Sequence, residues 1–286
     1  MASAPAPEPA TQQIGCMEIW GGNAAFANAL SVAGLDAWVH SEPFEGSAQG
    51  GDIHYISTCG HGHIARFVVA DVSGHGAEVG AVATKLRRLM RRNMNKLDQT
   101  RFVRALNHGF SALNESGLFA TAVLTSYYAP TRDLLICNAG HPRPLWYCAA
   151  TGDWEFLDAD RHGHCPTDGN LPIGIIDPTD YAQFAIKLDR DDIVVIYSDW
   201  LTEAQAPDGR MLEEDGLLSM ARELDATKPS GLAREILDRV AAFRGQAPAG
   251  DDVTLIVLHQ NGAGPPKFTT RDWIRSAGKM LGLLKV

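Results

Sequence analysis

At 286 residues, with 45% hydrophobic and 21% charged side chains, the chain can bury a large core as one domain or two and has the balance of an ordinary globular protein. Its net charge of −9 argues against non-specific nucleic-acid binding, although anionic phosphate stays accessible if metal ions reverse the sign locally. Five scattered cysteines (Cys16, Cys59, Cys137, Cys148, Cys165) without a CxxC pair, no membrane-length apolar run and no signal-peptide pattern point to the cytoplasm.

Residues 1–13 are rich in Pro and Ala and are expected to be disordered, with one ordered domain over 14–260. Ala25, Phe26, Ala29 and Leu30 fall at helical spacing and predict a helix over 23–33. A loop of small residues, 45–51, closes on Gly50-Gly51 and is followed by Asp52. Strands are expected over 53–58 and 64–70. The second is a β-branched run that stops at Asp71. A carboxylate at the end of a buried strand must be paired, protonated or bound to a cation, because burying it alone costs several kcal/mol. Capping of the next helix is the simpler reading of Asp71 taken alone.

A helix is predicted from residue 77, with Val79, Ala83, Leu86 and Met90 inward. Its late cations Lys85, Arg87, Arg88, Arg91 and Arg92 suit the helix dipole as a solvated face; a docking surface for a phosphorylated partner is the other reading. A second helix spans 100–114. Strands follow over 120–128, 133–138, 144–148 and, more weakly, 154–157. Asn138 and His141 are expected to fix the turn at Gly140-His141-Pro142 rather than to take part in catalysis. After an irregular polar loop, 161–169, come strands 182–188 and 193–198, the latter ending at Asp199. Helices 212–224 and 230–243 follow, and Gly250-Asp251-Asp252 precedes a last strand, 253–259.

The Gly/Pro-rich stretch 261–266 reads as a boundary before a basic amphipathic helix over 270–284, which gives a linker-plus-helix segment 261–286. Its apolar stripe needs a cover: its own domain, a partner or second copy, or, last, an anionic membrane. Two loop groups, Cys59/His61/His63 and His162/His164/Cys165, carry zinc-type ligands without zinc-finger spacing, so exposed loop histidines are the stronger expectation.

Asp52, Asp71, Asp199 and Asp251 share one context, the junction of strand and loop. Gathered without a counter-ion they would repel until some protonated. Two divalent cations of the hard, oxygen-seeking kind, Mg²⁺ or Mn²⁺, would neutralise them and activate water for in-line attack on phosphorus.

Five blocks then occur in order within 45–260: FVVADVSGHG at 67–76, NAGHPRP at 138–144, LPIG at 171–174, IVVIYSDWLTEA at 193–204 and DDVTLIVL at 251–258. The chain resembles the SpoIIE/RsbU branch of the metal-dependent (PPM, type 2C) Ser/Thr protein phosphatases. The resemblance implies an α+β fold, an α-β-β-α sandwich of two mainly antiparallel sheets flanked by helices. It implies two Mn²⁺ or Mg²⁺ ions held by Asp52, Asp71, the carbonyl of Val72, Asp199 and Asp251, with Asp71 bridging them and positioning the nucleophilic water. It implies a phosphoprotein substrate, of the STAS-domain anti-anti-sigma type, within a partner-switching pathway. Three positions depart from the family pattern: Tyr55 replaces an Asp, Trp200 replaces a Gly, and Ser73 stands where the broader enzymes have a general-acid His, with His75 nearby. A catalytically impaired scaffold that binds a phosphoprotein is the alternative.

Overall fold

The computed structural model of the chain describes residues 12–13, 19–59, 62–74, 77–112, 117–162, 170–245, 247 and 250–264. The C-terminal helix expected over 270–284, and with it Cys16, His61, His75, His164 and Cys165, lie outside the described residues.

Two sheets face each other. The first holds β1 (Gln12–Gln13), β3 (Phe26–Val32), β4 (Leu35–Glu42), β13 (Val253–Gln260), β12 (Ile193–Tyr197), β9 (Leu145–Cys148) and β10 (Asp153–Phe156), in that spatial order. The second holds β11 (Phe184–Lys187), β8 (Asp133–Ala139), β7 (Ala120–Tyr128), β6 (Ile64–Val72), β5 (Ile53–Cys59) and β2 (Ile19–Gly22). Every pairing is antiparallel except the two-residue contact of β1 with β3. Helices α1 (Ala77–Asn93) and α2 (Gln99–Ser111) cover the second sheet; α4 (Glu213–Ala221) and α5 (Pro229–Phe243) cover the first, and a short α3 (Ala159–His162) lies between strands β10 and β11 in sequence. The α-β-β-α sandwich is therefore present.

Strand pleating explains the layers. On β6, Ala65, Phe67 and Val69 enter the core between the sheets, while Val68, Ala70 and Val72 enter the core under α1 and α2. Both faces of the strand are covered, which is why its sequence is an unbroken apolar run rather than an alternation. Phe67 is fully buried, worth about 1.5–3 kcal/mol relative to an exposed ring. Helix α1 buries Val79, Val82, Ala83, Leu86 and Met90, and α2 starts on an Asp98 side chain that accepts from the backbone N–H of Arg101 at 3.0 Å. Lys85, Arg88, Arg91 and Arg92 point to solvent. Among the described residues, no helix is long and apolar enough to cross a membrane.

One expectation is corrected. The segment 23–33 is not a helix: Phe26–Val32 pairs along its whole length with β4. Ala29 and Leu30, adjacent in sequence, are both buried, so spacing of three and four coincided with a strand that buries both faces. The turn between them needs Gly34, at φ +82, where a Cβ would sit 2.8 Å from the Tyr127 hydroxyl. Of the stretch 1–13, residues 1–11 lie outside the described residues and the last two, Gln12–Gln13, pair in parallel with β3.

Candidate metal centre

The acids gather because pleat parity and strand ends coincide. On β5, Ile56 faces the inter-sheet core, so Asp52, four residues earlier, shares that side; on β6 the same parity carries Asp71. On the opposing sheet, Val194 and Ile196 of β12 and Ile256 of β13 face inward, which places Ser198, Thr254 and Asp252 on the inner side. Asp199 opens a 3-10 turn, Asp199–Leu201, directly after β12.

Asp52 is only 4% exposed, with Ser198 and Thr254 of the opposing sheet beside its carboxylate, and among the described residues its Oδ2 atom has no hydrogen-bond partner. Burial first, and then the charge of Asp71, hold its carboxyl well above the ordinary range. Asp71 is pushed up to about 7 by burial and by the charges of Asp199, Asp251, Asp252 and Glu203. Asp199 is pushed up to about 6 by burial, Glu203 and Asp251. Asp251 lies exposed at the rim, with its Oδ1 accepting from the N–H of Asp252 at 2.8 Å. The carbonyl of Val72 lies 3.0 Å from where a Cβ on Gly51 would be, an approach only glycine permits. The structure thus brings Asp52, Asp71, Val72, Asp199 and Asp251 to one end of the sandwich.

The carboxylates act on one another without closing into a ready-made cage. Among the described residues, no three His, Cys, Asp or Glu side chains are gathered into ion-holding geometry. The donors nonetheless fit a hard cation: an orphaned buried oxygen on Asp52, and carboxyls raised by burial and by neighbouring acids, which a bound cation would relieve.

Two acids carry more than the sequence suggested. Asp252 accepts from the backbone N–H groups of Phe44 at 2.6 Å, Gly51 at 2.5 Å and Asp52 at 3.2 Å, and so fastens the loop that aims Asp52. A Cβ on Gly50 would collide with that carboxylate, which explains the Gly50-Gly51 pair. Glu203, whose N–H donates to the Asp199 carbonyl at 2.8 Å, adds its charge to both Asp71 and Asp199. The only sequence signal for either was proximity to a strand-end Asp.

His141 ties the two sheets together under this cluster. Its Nε2–H donates to the Tyr197 carbonyl of β12 at 2.9 Å, so Nδ1 accepts from the Thr121 hydroxyl of β7 at 2.8 Å. Burial pushes its pKa down to about 4, which keeps it neutral. Asn138 clamps the turn, accepting from the His141 N–H at 2.7 Å and donating to its carbonyl at 2.8 Å. The turn-fixing expectation for this pair agrees with these bonds.

The family departures fall where they spare the cluster. Tyr55 points away from Asp52, into the core under α1 and α2. Trp200, 7% exposed, packs in the core beneath α5 with its ring facing the Arg244 guanidinium at 5.8 Å. Ser73 is pinned to the start of β7: its N–H donates to the Phe119 carbonyl and its hydroxyl accepts from the Phe119 N–H. Of the zinc-type groups, His162 hydrogen-bonds the Asp158 carbonyl through Nδ1 and stacks on Phe184, 5.9 Å between centroids.

The family model for Stage II sporulation protein E (SpoIIE) matches residues 61–261, well over half the chain. Phosphoserine phosphatase RsbU of Bacillus subtilis (strain 168) is 25% identical over 197 residues, covering 67% of this chain and 54% of RsbU. The chain therefore spans about half the length of that relative. Among solved structures, the RsbU and RsbW domains of a Mycobacterium tuberculosis protein match with a TM-score of 0.68 at 24% identity, over 91% of this chain and 70% of that one. RsbX in complex with magnesium matches with a TM-score of 0.58 at 16% identity, over 82% and 99%. At these identities the two structures speak for the fold.

Proposed function

The chain belongs to the Stage II sporulation protein E family, and we propose that it is a metal-dependent phosphatase acting on phosphoserine or phosphothreonine of a partner protein. The observation that carries this reading is the gathering of Asp52, Asp71, Asp199 and Asp251 at one end of the sandwich, where the buried Oδ2 of Asp52 has no hydrogen-bond partner among the described residues. Asp52, Asp71, Val72 through its carbonyl, Asp199 and Asp251 would hold two Mn²⁺ or Mg²⁺ ions. Bound there, the ions would supply a nucleophilic water and neutralise charge on the phosphoryl oxygens. The protein supplies orientation. Ser198 and Thr254 flank the Asp52 carboxylate, Asp252 locks the loop before it, and His141 holds the end of β12, from which Asp199 projects. No side-chain nucleophile is needed.

The magnesium in RsbX supports the class of ion, and the likeness to RsbU supports a phosphoprotein substrate. We propose a STAS-domain anti-anti-sigma-like protein in a cytoplasmic partner-switching pathway as that substrate. The scaffold alternative has no observation in its favour, because Tyr55 and Trp200 leave the acids in place.

The test is hydrolysis of an aryl phosphate by the full chain with Mn²⁺, with Mg²⁺ and with chelator. Turnover that needs the ion and stops with chelator is expected. Ion binding without turnover would select the scaffold instead.

A further inference from the structure

Beside the acidic cluster lie two adjoining cavities, of about 650 and 340 Å³, which share Trp200, Arg244, Ala247, Gly250 and Asp251 in their walls. Together they form a groove that starts at Asp251 and runs between α5 and the turn after β4. Its floor is apolar, made by Phe44, Leu237, Ala241 and Trp200. Its outer rim carries the exposed acids Glu42, Glu45 and Asp238, of which Glu42 lies 3.6 Å from His40 and Asp238 3.8 Å from Arg234. The exception is Arg244, which closes the C-terminal end of α5 and stands over the Trp200 ring, at the junction with Asp251.

This order of charges has a chemical meaning. With ions bound the acidic cluster can take a phosphate, and Arg244, which lines both cavities together with Asp251, adds a guanidinium at the inner end of the groove. The polypeptide carrying that phosphate must leave along some surface, and the groove opens from the same residue, Asp251. Its apolar floor and acidic rim fit a segment that combines apolar and basic side chains.

We propose that this groove receives the substrate polypeptide flanking the phosphorylated residue, selecting apolar and basic side chains, with Arg244 contacting the phosphoryl group at its inner end. The inference rests on the phosphatase reading and adds the substrate's local chemistry to it.

The probe is a position-scanning phosphoserine peptide library, with an aryl phosphate as the small reference substrate. The full-length wild type should prefer Lys or Arg and an apolar residue at defined positions beside the phosphoserine. The double charge reversal Glu42→Lys, Asp238→Lys lies on the exposed rim. It should lower kcat/KM for the preferred basic peptide about tenfold relative to the aryl phosphate, and narrow the gap to acidic peptides. Arg244→Gln should raise KM for both substrate types about tenfold, with kcat and Mn²⁺ affinity retained. A wild type without Mn²⁺-dependent turnover of the aryl phosphate sinks the phosphatase reading, and the groove assignment with it. Turnover without any flank preference overturns the groove alone. So does a charge reversal that changes peptide and aryl phosphate equally, the result expected if the basic segment 267–285 of this chain fills the groove. An Arg244→Gln variant that loses kcat and melts early makes Arg244 a support for Trp200 and overturns its contact with phosphate.

Discussion

Strand β6 carries two charges of opposite character on opposite faces, the buried Arg66 and the half-buried Asp71. Arg66 is 3% exposed and its guanidinium is met on all sides: Nε donates to Ser126 Oγ at 3.3 Å, Nη1 to the Met94 carbonyl at 3.2 Å, Nη2 to the Lys96 carbonyl at 2.5 Å, and the Phe102 ring lies 4.2 Å away. Burial lowers its pKa only to about 10, so it stays charged. Asp71 has the reverse surroundings, five further carboxylates: Asp52, Asp199, Asp251, Asp252 and Glu203. A charge the protein has closed off with fixed acceptors is scaffold, here the brace between the α1–α2 connection and the sheet. A charge the protein has set against its own kind is waiting for something from outside.

The comparison breaks most visibly if Asp71 is altered. Asp71→Asn keeps the shape and removes the charge, so Mn²⁺-dependent turnover should fall by more than the about 10–100-fold that loss of a merely supporting residue costs. Steady-state rates across a Mn²⁺ titration read this directly, and wild-type activity at limiting ion would remove Asp71 from the centre.

Arg66→Met should do the opposite, harming the fold and sparing the chemistry. Two backbone carbonyls lose their donors, at about 1–3 kcal/mol each before relaxation, while the thioether fills part of the space. Urea unfolding should show that loss, with turnover per folded molecule unchanged. A variant of full stability would mean the brace is dispensable.

The smallest effect concerns pH in the presence of chelator. Asp71 titrates near 7 in the folded chain, above its ordinary unfolded value near 3.9, so the folded state holds this proton more tightly. The stability this lends is complete below about pH 4 and lost as pH rises through about 7. Asp71→Asn escapes the loss, so at pH 8 it should melt about 5 °C above the wild type, the gap closing towards pH 4. Equal melting at pH 8 would show that the acids do not oppose one another.

Much of this was legible in the sequence, for reasons that differ by residue. The β-branched run at 67–70 marked a strand covered on both faces, and acids at strand ends marked the centre. The hairpin Phe26–Glu42 was not legible: small residues such as Ala25 and Ala29 pack equally well on either period, and the pairing with β13 that decides the matter lies far along the chain. Asp251 and Asp252 are chemically identical neighbours. Only pleat parity sends one to the rim and the other into three backbone N–H groups, and parity is set by a register that no local pattern reveals. The groove joins the turn after β4 to α5, so it had no signature in either segment.

The position of β13 has a consequence for how the protein is made. This strand, the last among the described residues, lies in the middle of its sheet, paired with β4 on one side and β12 on the other. On the ribosome, every earlier strand emerges before it, and until residues 253–260 appear the β4 and β12 edges face open water. Asp252 then closes the turn at Gly51, 201 residues upstream, with the same strand that delivers Asp251. Completion of the sheet and completion of the acidic cluster are therefore one event in biosynthesis. A nascent chain that stops short of β13 would leave a split sheet with two open edges and an acidic cluster lacking Asp251 and Asp252.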